Sequence, residues 1–324
     1  MGHFMIIKEH MRIYLYALVA LLFFAAGSAQ AKDMAGDDIL QPLHVTADVY
    51  YLKGSIDARS YENYSLNNNL GFVVTSEGGV LLDSGASHQS GPLIEQLIAT
   101  VTDLPVRWVI NTGSQDHRWM GNGYFASRGA QIIALAWTVE TQKHFADSHL
   151  QRSSQILRDR FEGTVPVYAA QPLEGDRHQL TLGGVEFELF YVADAHFPGD
   201  IQVWLPQHEV VFTGDVVYVD RIVGIHPWSD VRGLQKNFVA MEALRPRFVI
   251  PGHGMLCDLE KARAESGDYY DFLLEHVARA VEEFVGMSET VETLGDAPQF
   301  AHLAHYDSWH RLNINRTYLQ LEAE

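Results

Sequence analysis

The sequence predicts an α/β fold, on three observations. Short apolar runs end abruptly at small and polar residues, as buried strands do when they deliver side chains to the rim of a sheet. Stretches with helical spacing of apolar residues lie between several of these runs, and from Leu259 onward the pattern turns wholly helical. The chain has 324 residues, 47% hydrophobic and 20% charged, enough to bury a substantial core in one or two domains. A formal net charge of -18 argues against nucleic acid or an anionic membrane face as partner. Solubility is the plainer reading of that charge.

At the N-terminus, Lys8 and Arg12 precede the apolar run Ile13–Ala26, and Ser28-Ala29-Gln30-Ala31 follows with an Ala-x-Ala pattern. This reads as an export signal with the mature chain starting at Lys32, and Met11 is an alternative initiator. The run is shorter than the ~20 residues of a membrane span. No anchor is expected after cleavage, and the protein is expected to be periplasmic or secreted. Residues 1–31 are then leader, 32–41 a polar linker, 42–258 the main domain and 259–324 a helical extension. The single cysteine, Cys257, excludes an intramolecular disulfide and reads as a small buried hydrophobe rather than a ligand.

The main domain opens with a strand expected around His44–Leu52. Leu70–Thr75 and Val80–Leu82, separated by Glu77-Gly78-Gly79, read as a hairpin whose second strand ends at Asp83-Ser84-Gly85. Helical spacing follows over Pro92–Thr100, then a strand at Val106–Ile110, another at Gln131–Leu135 and a long helix at Trp137–Arg160. On that helix His144 and His149 are five apart, hence on different faces, and both are expected at the surface. Gln179–Leu182 and Val185–Tyr191 form a second hairpin signal around Gly183-Gly184. Strands are expected at Ile201–Leu205, Val210–Thr213 and Phe248–Ile250, with an amphipathic helix at Asp230–Leu244. The extension is expected as helices at Leu259–Val285, Ser288–Gly295 and Ser308–Glu322.

The chemistry gathers where strands end. The run Asn111–Asn122 carries Asp116 and His117 side by side, suited to converging on one cation, with Gly121 letting the backbone turn away. Downstream come His196-Phe197-Pro198-Gly199-Asp200, Gly214-Asp215 and Pro251-Gly252-His253-Gly254. These four blocks, in this order, resemble the metallo-β-lactamase superfamily, in which a strand ending in Thr is followed by His-x-His-x-Asp-His and a Gly. Thr112, Asp116, His117 and Gly121 are read as matches, while Gly113 and Gln115 replace the two earlier histidines. The resemblance implies a four-layer αββα sandwich of two mixed sheets with the metal at one edge. It also implies that Asp83 supports the metal loop from behind. The closing stretch His310–Glu322 resembles the tail of quinoprotein relay system zinc metallohydrolases and their SoxH-like relatives, in which it packs near the site mouth.

The same resemblance assigns the first zinc to the two lost histidines with His196, and the second to the Asp-His pair and His253, with Asp215 in the position that bridges both. A glycine offers no side chain and a neutral amide binds zinc poorly, so the first site is expected to be empty. Asp116, His117, Asp215 and His253 would hold one zinc, with manganese or iron as alternatives. Asp116, His196 and Gln115 are the candidate catalytic groups, with His196 and Gln115 orienting water or polarising the substrate. The expected function is an exported single-metal hydrolase of a small ester, thioester or lactam-like amide. The alternative is a non-catalytic descendant that binds a ligand or partner. Restoring the histidines, Gly113→His with Gln115→His, is expected to raise metal content toward two ions if the rest of the first site is intact.

Overall fold

Alternation along the strands divides the core into three layers. On β2 (Val49–Lys53), β3 (Leu70–Thr75) and β4 (Gly78–Leu82), the residues Val49, Tyr51, Val73, Val80 and Leu82 face a second sheet, whereas Leu52, Phe72 and Leu81 face helices. A strand buried on both sides needs apolar residues at nearly every position, as these runs show. The computed structural model describes residues 39–324, so the expected leader and all but the end of the linker lie outside the described residues.

The first sheet has the order β1-β2-β3-β4-β5-β6, with β1 at Gln41–Thr46, β5 at Val106–Ile110 and β6 at Gln131–Ile133. Its first four strands are antiparallel neighbours, and β4, β5 and β6 run parallel. The second sheet comprises β7 (Arg177–Leu182), β8 (Val185–Phe190), β9 (Gln202–Leu205), β10 (Val210–Phe212) and β11 (Phe248–Ile250) in the order β11-β10-β9-β8-β7. Only its β10–β11 pair is parallel. Phe187, Leu189, Val203, Leu205, Val210 and Phe212 meet the first sheet's inward residues.

Helices α1 (Gly91–Ile98), α2 (Asp116–Trp119), α3 (Asn122–Ser127) and α4 (Ala136–Leu157) belong to the first half of the chain; Ile94, Phe125 and Val139 pack on the outer face of its sheet. The second half carries α5 (Val231–Ala243), α6 (Leu259–Ala262), α7 (Asp268–Glu282), α8 (Met287–Leu294) and α9 (Tyr306–Glu322). Leu234 and Phe238 of α5, Leu273 and Val277 of α7 and Ile314, Tyr318 and Leu321 of α9 share one cluster with Val211 and Val249. The result is an αββα sandwich of two mixed sheets, with the C-terminal helices sealed into its outer core. Asp230 caps α5 by accepting from the Gly233 amide at 2.9 Å, worth about 1 kcal/mol.

Three elements differ from expectation. The strand around His44–Leu52 is a hairpin, β1 and β2, that turns at Ala47 with φ 42°. Alanine rarely adopts that left-handed conformation, so the turn carries no residue-type signal. The helix expected over Leu259–Val285 breaks at a π-helical turn, Arg263–Gly267. The break aims Ser266 at the site: its hydroxyl accepts from the Tyr218 amide at 2.9 Å and donates to the Tyr218 carbonyl at 2.6 Å. His149 is buried, not exposed, because the α4 face bearing Gln142, Ala146, His149 and Ser153 is the one turned inward. Burial pulls its pKa down to about 4, against a raising influence from Asp116.

Candidate functional site

The loops after β4, β5, β8, β10 and β11 meet at one edge of the sandwich. Asp83, just past β4, accepts from the Thr112 amide at 2.7 Å and the Thr112 hydroxyl at 2.6 Å, fixing the exit of β5. Arg118 donates to Asp83 from Nη1 and to Asp215 from both Nε, at 3.0 Å, and Nη2. This guanidinium is 1% exposed and sits between two buried carboxylates. Burial alone would raise the Asp215 pKa, but Arg118, with His117 and His253, holds that carboxyl well below the usual range. Asp83 is raised by burial, with Arg118 opposing. At the far end of the site, Asn69 donates to the carbonyls of Pro251 and Gly254, both at 2.9 Å, and so fixes the turn that carries His253.

Among the described residues, His117, Asp215 and His253 are the group able to share a metal ion, with ligand atoms within 4.8 Å of one another. His117 Nε2 lies 3.6 Å from Asp215 Oδ2, and His253 Nε2 lies 3.2 Å from Asp215 Oδ1. Four tetrahedral donors at zinc distances are spaced ~3.3 Å apart, so these gaps suit a shared cation. Both ring nitrogens of His117 are buried without a hydrogen-bond partner. A buried imidazole left unpaired is costly, and a metal ion would satisfy Nε2, the nitrogen turned to Asp215. Asp215 retains capacity for such an ion, because each carboxylate oxygen can accept more than one partner.

Asp116 stands outside this group, which reduces the expected four ligands to three. Its Oδ1 is taken by Arg59 and by the His117 amide at 3.0 Å, and its Oδ2 by Arg152 at 2.9 Å and Ser153 at 2.8 Å. The reason is register. Counted from Thr112, the motif's Asp and His fall at 117 and 118, where this chain has His117 and Arg118. Asp116 opens α2 on the side facing α4. It is a bracket for the loop: burial works against its charge, but Arg59 and Arg152 overcome this and hold its pKa well below normal.

The other half of the motif is filled rather than vacant. A Cβ at Gly113 would lie 2.6 Å from Asp200 Oδ1 and 3.1 Å from Arg118 Cδ. Asp200 is pinned by the Phe197 amide at 2.8 Å, and burial next to Asp215 raises its pKa well above normal. A histidine at position 113 requires Asp200 to move aside, which works against the expectation that restoring both histidines rebuilds a second metal site. Gln115 and His196 are buried and each has an unpartnered atom, Oε1 and Nδ1. His196 Nε2 is 3.2 Å from the Tyr218 hydroxyl, and burial lowers its pKa to about 3, so the ring is neutral near pH 7.

His117, His196, His253 and Gln115 line one cavity of about 150 Å³ together with Arg59, Tyr218, Arg221, His226, His305 and Trp309. Sequence reasoning missed the arginines, because a charged residue in a loop carries no mark of being buried. Tyr218 was missed as well; its ring stacks on His253 at 4.5 Å, a contact between residues 35 positions apart. Cys257 is buried and points at the Val249 carbonyl, away from the metal-capable group, with its thiol pushed up to about 12 by burial.

Over 289 residues the chain is 25% identical to Metallo-beta-lactamase type 2 of Bacteroides fragilis, covering 83% of this chain and 96% of that one. Over 250 residues it is 24% identical to Metallo-beta-lactamase IND-1 of Chryseobacterium indologenes, covering 76% and 92%. The solved structure of the stereoselective inverting sec-alkylsulfatase Pisa1 from Pseudomonas sp. matches with a TM-score of 0.69 at 16% identity, over 88% of this chain and 50% of that one. At that identity the likeness is one of fold alone. The model of the metallo-beta-lactamase superfamily matches residues 65–253, a span that begins in the loop before β3 and ends on His253. With more than half its length matched, and with the two-sheet sandwich presenting a buried His-Asp-His group at its loop edge, the chain belongs to the metallo-beta-lactamase superfamily.

Proposed function

We propose that this protein is a hydrolase that uses one metal ion, held by His117, Asp215 and His253, on a small ester, thioester or lactam-like amide. The observation that carries the reading is His117: fully buried, unpartnered at both nitrogens, and 3.6 Å from a carboxylate that His253 also approaches. Two imidazoles and one carboxylate suit zinc with an open position for chemistry, or iron in the arrangement of two histidines and a carboxylate. When bound, such an ion supplies Lewis acidity, bringing the pKa of water from about 15.7 toward 7 and stabilising charge on an attacked carbonyl.

The chain's own residues do the rest. Asp116, clamped by Arg59 and Arg152, fixes the His117 backbone and so the aim of its ring. Arg118 neutralises part of the Asp215 charge, and both carboxylate oxygens also lie within 3.6 Å of a histidine nitrogen. Tyr218 keeps its proton, because burial and the Asp215 charge push its pKa well up. Its hydroxyl and a neutral His196 form a hydrogen-bonding pair beside the cavity, able to orient water or donate to a developing oxyanion. Gln115 presents its amide to the same cavity.

Metal analysis of the purified protein should return one ion per chain, and a panel of chromogenic esters, thioesters and cephalosporins should reveal turnover that His117→Ala abolishes. Absence of stoichiometric metal would end this reading. The filled first half of the site supports a second one, a descendant that binds a ligand without turning it over; metal-loaded protein inert across the whole panel would favour it. We further propose export to the periplasm or beyond, from the Lys8–Ala31 pattern. Among the described residues no helix is long and apolar enough to cross a membrane. Cell fractionation with N-terminal sequencing of the mature chain tests this. The relationship to the relay-system and SoxH-like proteins is likewise a proposal, resting on the closing helix.

A further inference from the structure

One wall of the cavity is built by the C-terminal extension. Trp309, in the first turn of α9, lines it together with His305. Several bonds fix this helix to the segment that follows Tyr218. The Ile222 amide donates to the Ala304 carbonyl and the Ala304 amide to the Asp220 carbonyl, both at 3.0 Å. Further along, Asn313 donates to the Val223 carbonyl at 2.7 Å and accepts from the Ile225 amide at 2.8 Å, and Arg316 donates to the Ile225 carbonyl. Asn313 is fully buried, so water does not compete for these bonds. Gly224 is clamped between them, and the indole packs against its bare backbone: a Cβ there would stand 3.1 to 3.4 Å from three atoms of the Trp309 six-membered ring. Trp309, Asn313 and Arg316 lie outside residues 65–253, so this wall is supplied by the part of the chain beyond the family match.

A single ring separates Trp309 from a candidate catalytic group. The indole meets His226 at 5.3 Å and 81°, and His226 in turn meets His196 at 5.0 Å and 73°. Trp228 stacks on His226 at 5.3 Å, which fixes the plane of the middle ring. The space beside His196 is therefore bounded by a braced row of aromatic rings whose outer member comes from α9. That space is small, since the whole cavity measures about 150 Å³. A cavity of ~150 Å³ admits a benzene ring, whereas sites for drug-sized ligands span ~300–1,000 Å³.

We infer that the cavity encloses a compact group of its ligand, no bulkier than about one benzene ring, and that Trp309 sets this upper limit. The inference rests on the proposed hydrolase for calling that ligand a substrate. It narrows the substrates to esters, thioesters and amides in which one side of the scissile bond is compact. Fused-ring lactams, which present no compact side, are excluded.

Competition binding tests this without requiring turnover. Two neutral probes, benzamide and naphthamide, compete against fluorobenzamide on the purified protein, and the fluorine NMR signal of the reporter gives the dissociation constant of each. The expected result is that naphthamide binds at least tenfold more weakly than benzamide, and that Trp309→Ala removes this penalty. Equal binding of the two probes by the wild-type protein overturns the inference. So does a penalty that Trp309→Ala leaves intact, and so does a failure of benzamide and its fluorinated form to bind at all. If Trp309→Ala fails to fold, Trp309→Phe takes its place, a partial gain for naphthamide supporting the inference and no gain overturning it. A size limit in a protein inert toward every ester would end the hydrolase reading alone. Turnover of cephalosporins by the wild-type protein would end this one alone.

Discussion

The two halves of the site diverge from one loop. On one side, His117, His253 and Asp215 converge with nitrogens left open. On the other, Gly113 is packed against Asp200 and Arg118, and Gln115 and His196 face the cavity as neutral groups. Both halves draw residues from the segment Asn111–Asn122, Gly113 and Gln115 on one side and His117 on the other, so side chains a few positions apart set them apart. A rim of fixed geometry can lose one cation position and keep its neighbour, provided that something else fills the space and balances the charge. Here Asp200 fills the space below Gly113, and Arg118 balances Asp83 and Asp215.

Several substitutions would break or sharpen that contrast, taken from the largest effect down. Arg118→Leu removes the cation shared by Asp83 and Asp215 and should cost about 3–5 kcal/mol, read as a fall in the urea midpoint. His117→Ala and His253→Ala should each empty the metal position and lower kcat/KM on the order of 10³-fold, the several kcal/mol a Lewis acid supplies. A His253→Ala protein retaining full metal and rate would place the ion elsewhere. Asp116→Asn, which keeps shape but releases Arg59 and Arg152, should weaken metal affinity by about 10–100-fold without changing stoichiometry at saturation. Gly113→His with Gln115→His should add no second ion and should destabilise by about 1–3 kcal/mol through overpacking. A rise to two ions would show that Asp200 yields readily.

A separate effect bears on acid stability. His149 and His226 have folded pKa values lowered by burial to about 4 and about 2. Since the unfolded value is about 6.5, the neutral form favours the folded state. Their contribution is complete above pH 6.5 and declines as pH falls from 6.5 toward the folded values, by about 1.4 kcal/mol per pH unit for each ring. Buried His196 and His253, each lowered to about 3, act in the same direction, so urea midpoints of metal-free protein should fall steadily from pH 6.5 to 5, and His149→Leu should flatten that slope by one proton.

The strand ends were legible because a buried strand must be apolar and its exit must not be. Val106–Ile110 and Phe248–Ile250 stand where their runs predicted, and the Pro251–Gly254 turn holds His253 as expected. The ligand pair was less legible. Adjacent Asp116 and His117 look interchangeable as donors in sequence. The start of α2 sends one toward α4 and the other toward Asp215, and a helical turn separates neighbours by about 100°. His149 failed for a related reason, since five-residue spacing says that two histidines differ in face without saying which face is inward.

Local patterning by itself determined the α/β class and where most strands and helices run, because alternation and turn chemistry are properties of neighbouring residues; the two-sheet sandwich and the edge where chemistry gathers came from the family resemblance of the four blocks. Tertiary structure alone decided that His117 and not Asp116 joins Asp215 and His253, that Asp200 stands against Gly113 and that Arg118 lies buried between two carboxylates. Each depends on which distant charges burial brings within a few ångströms, and a charge's cost or value is set by those neighbours and not by its place in the chain.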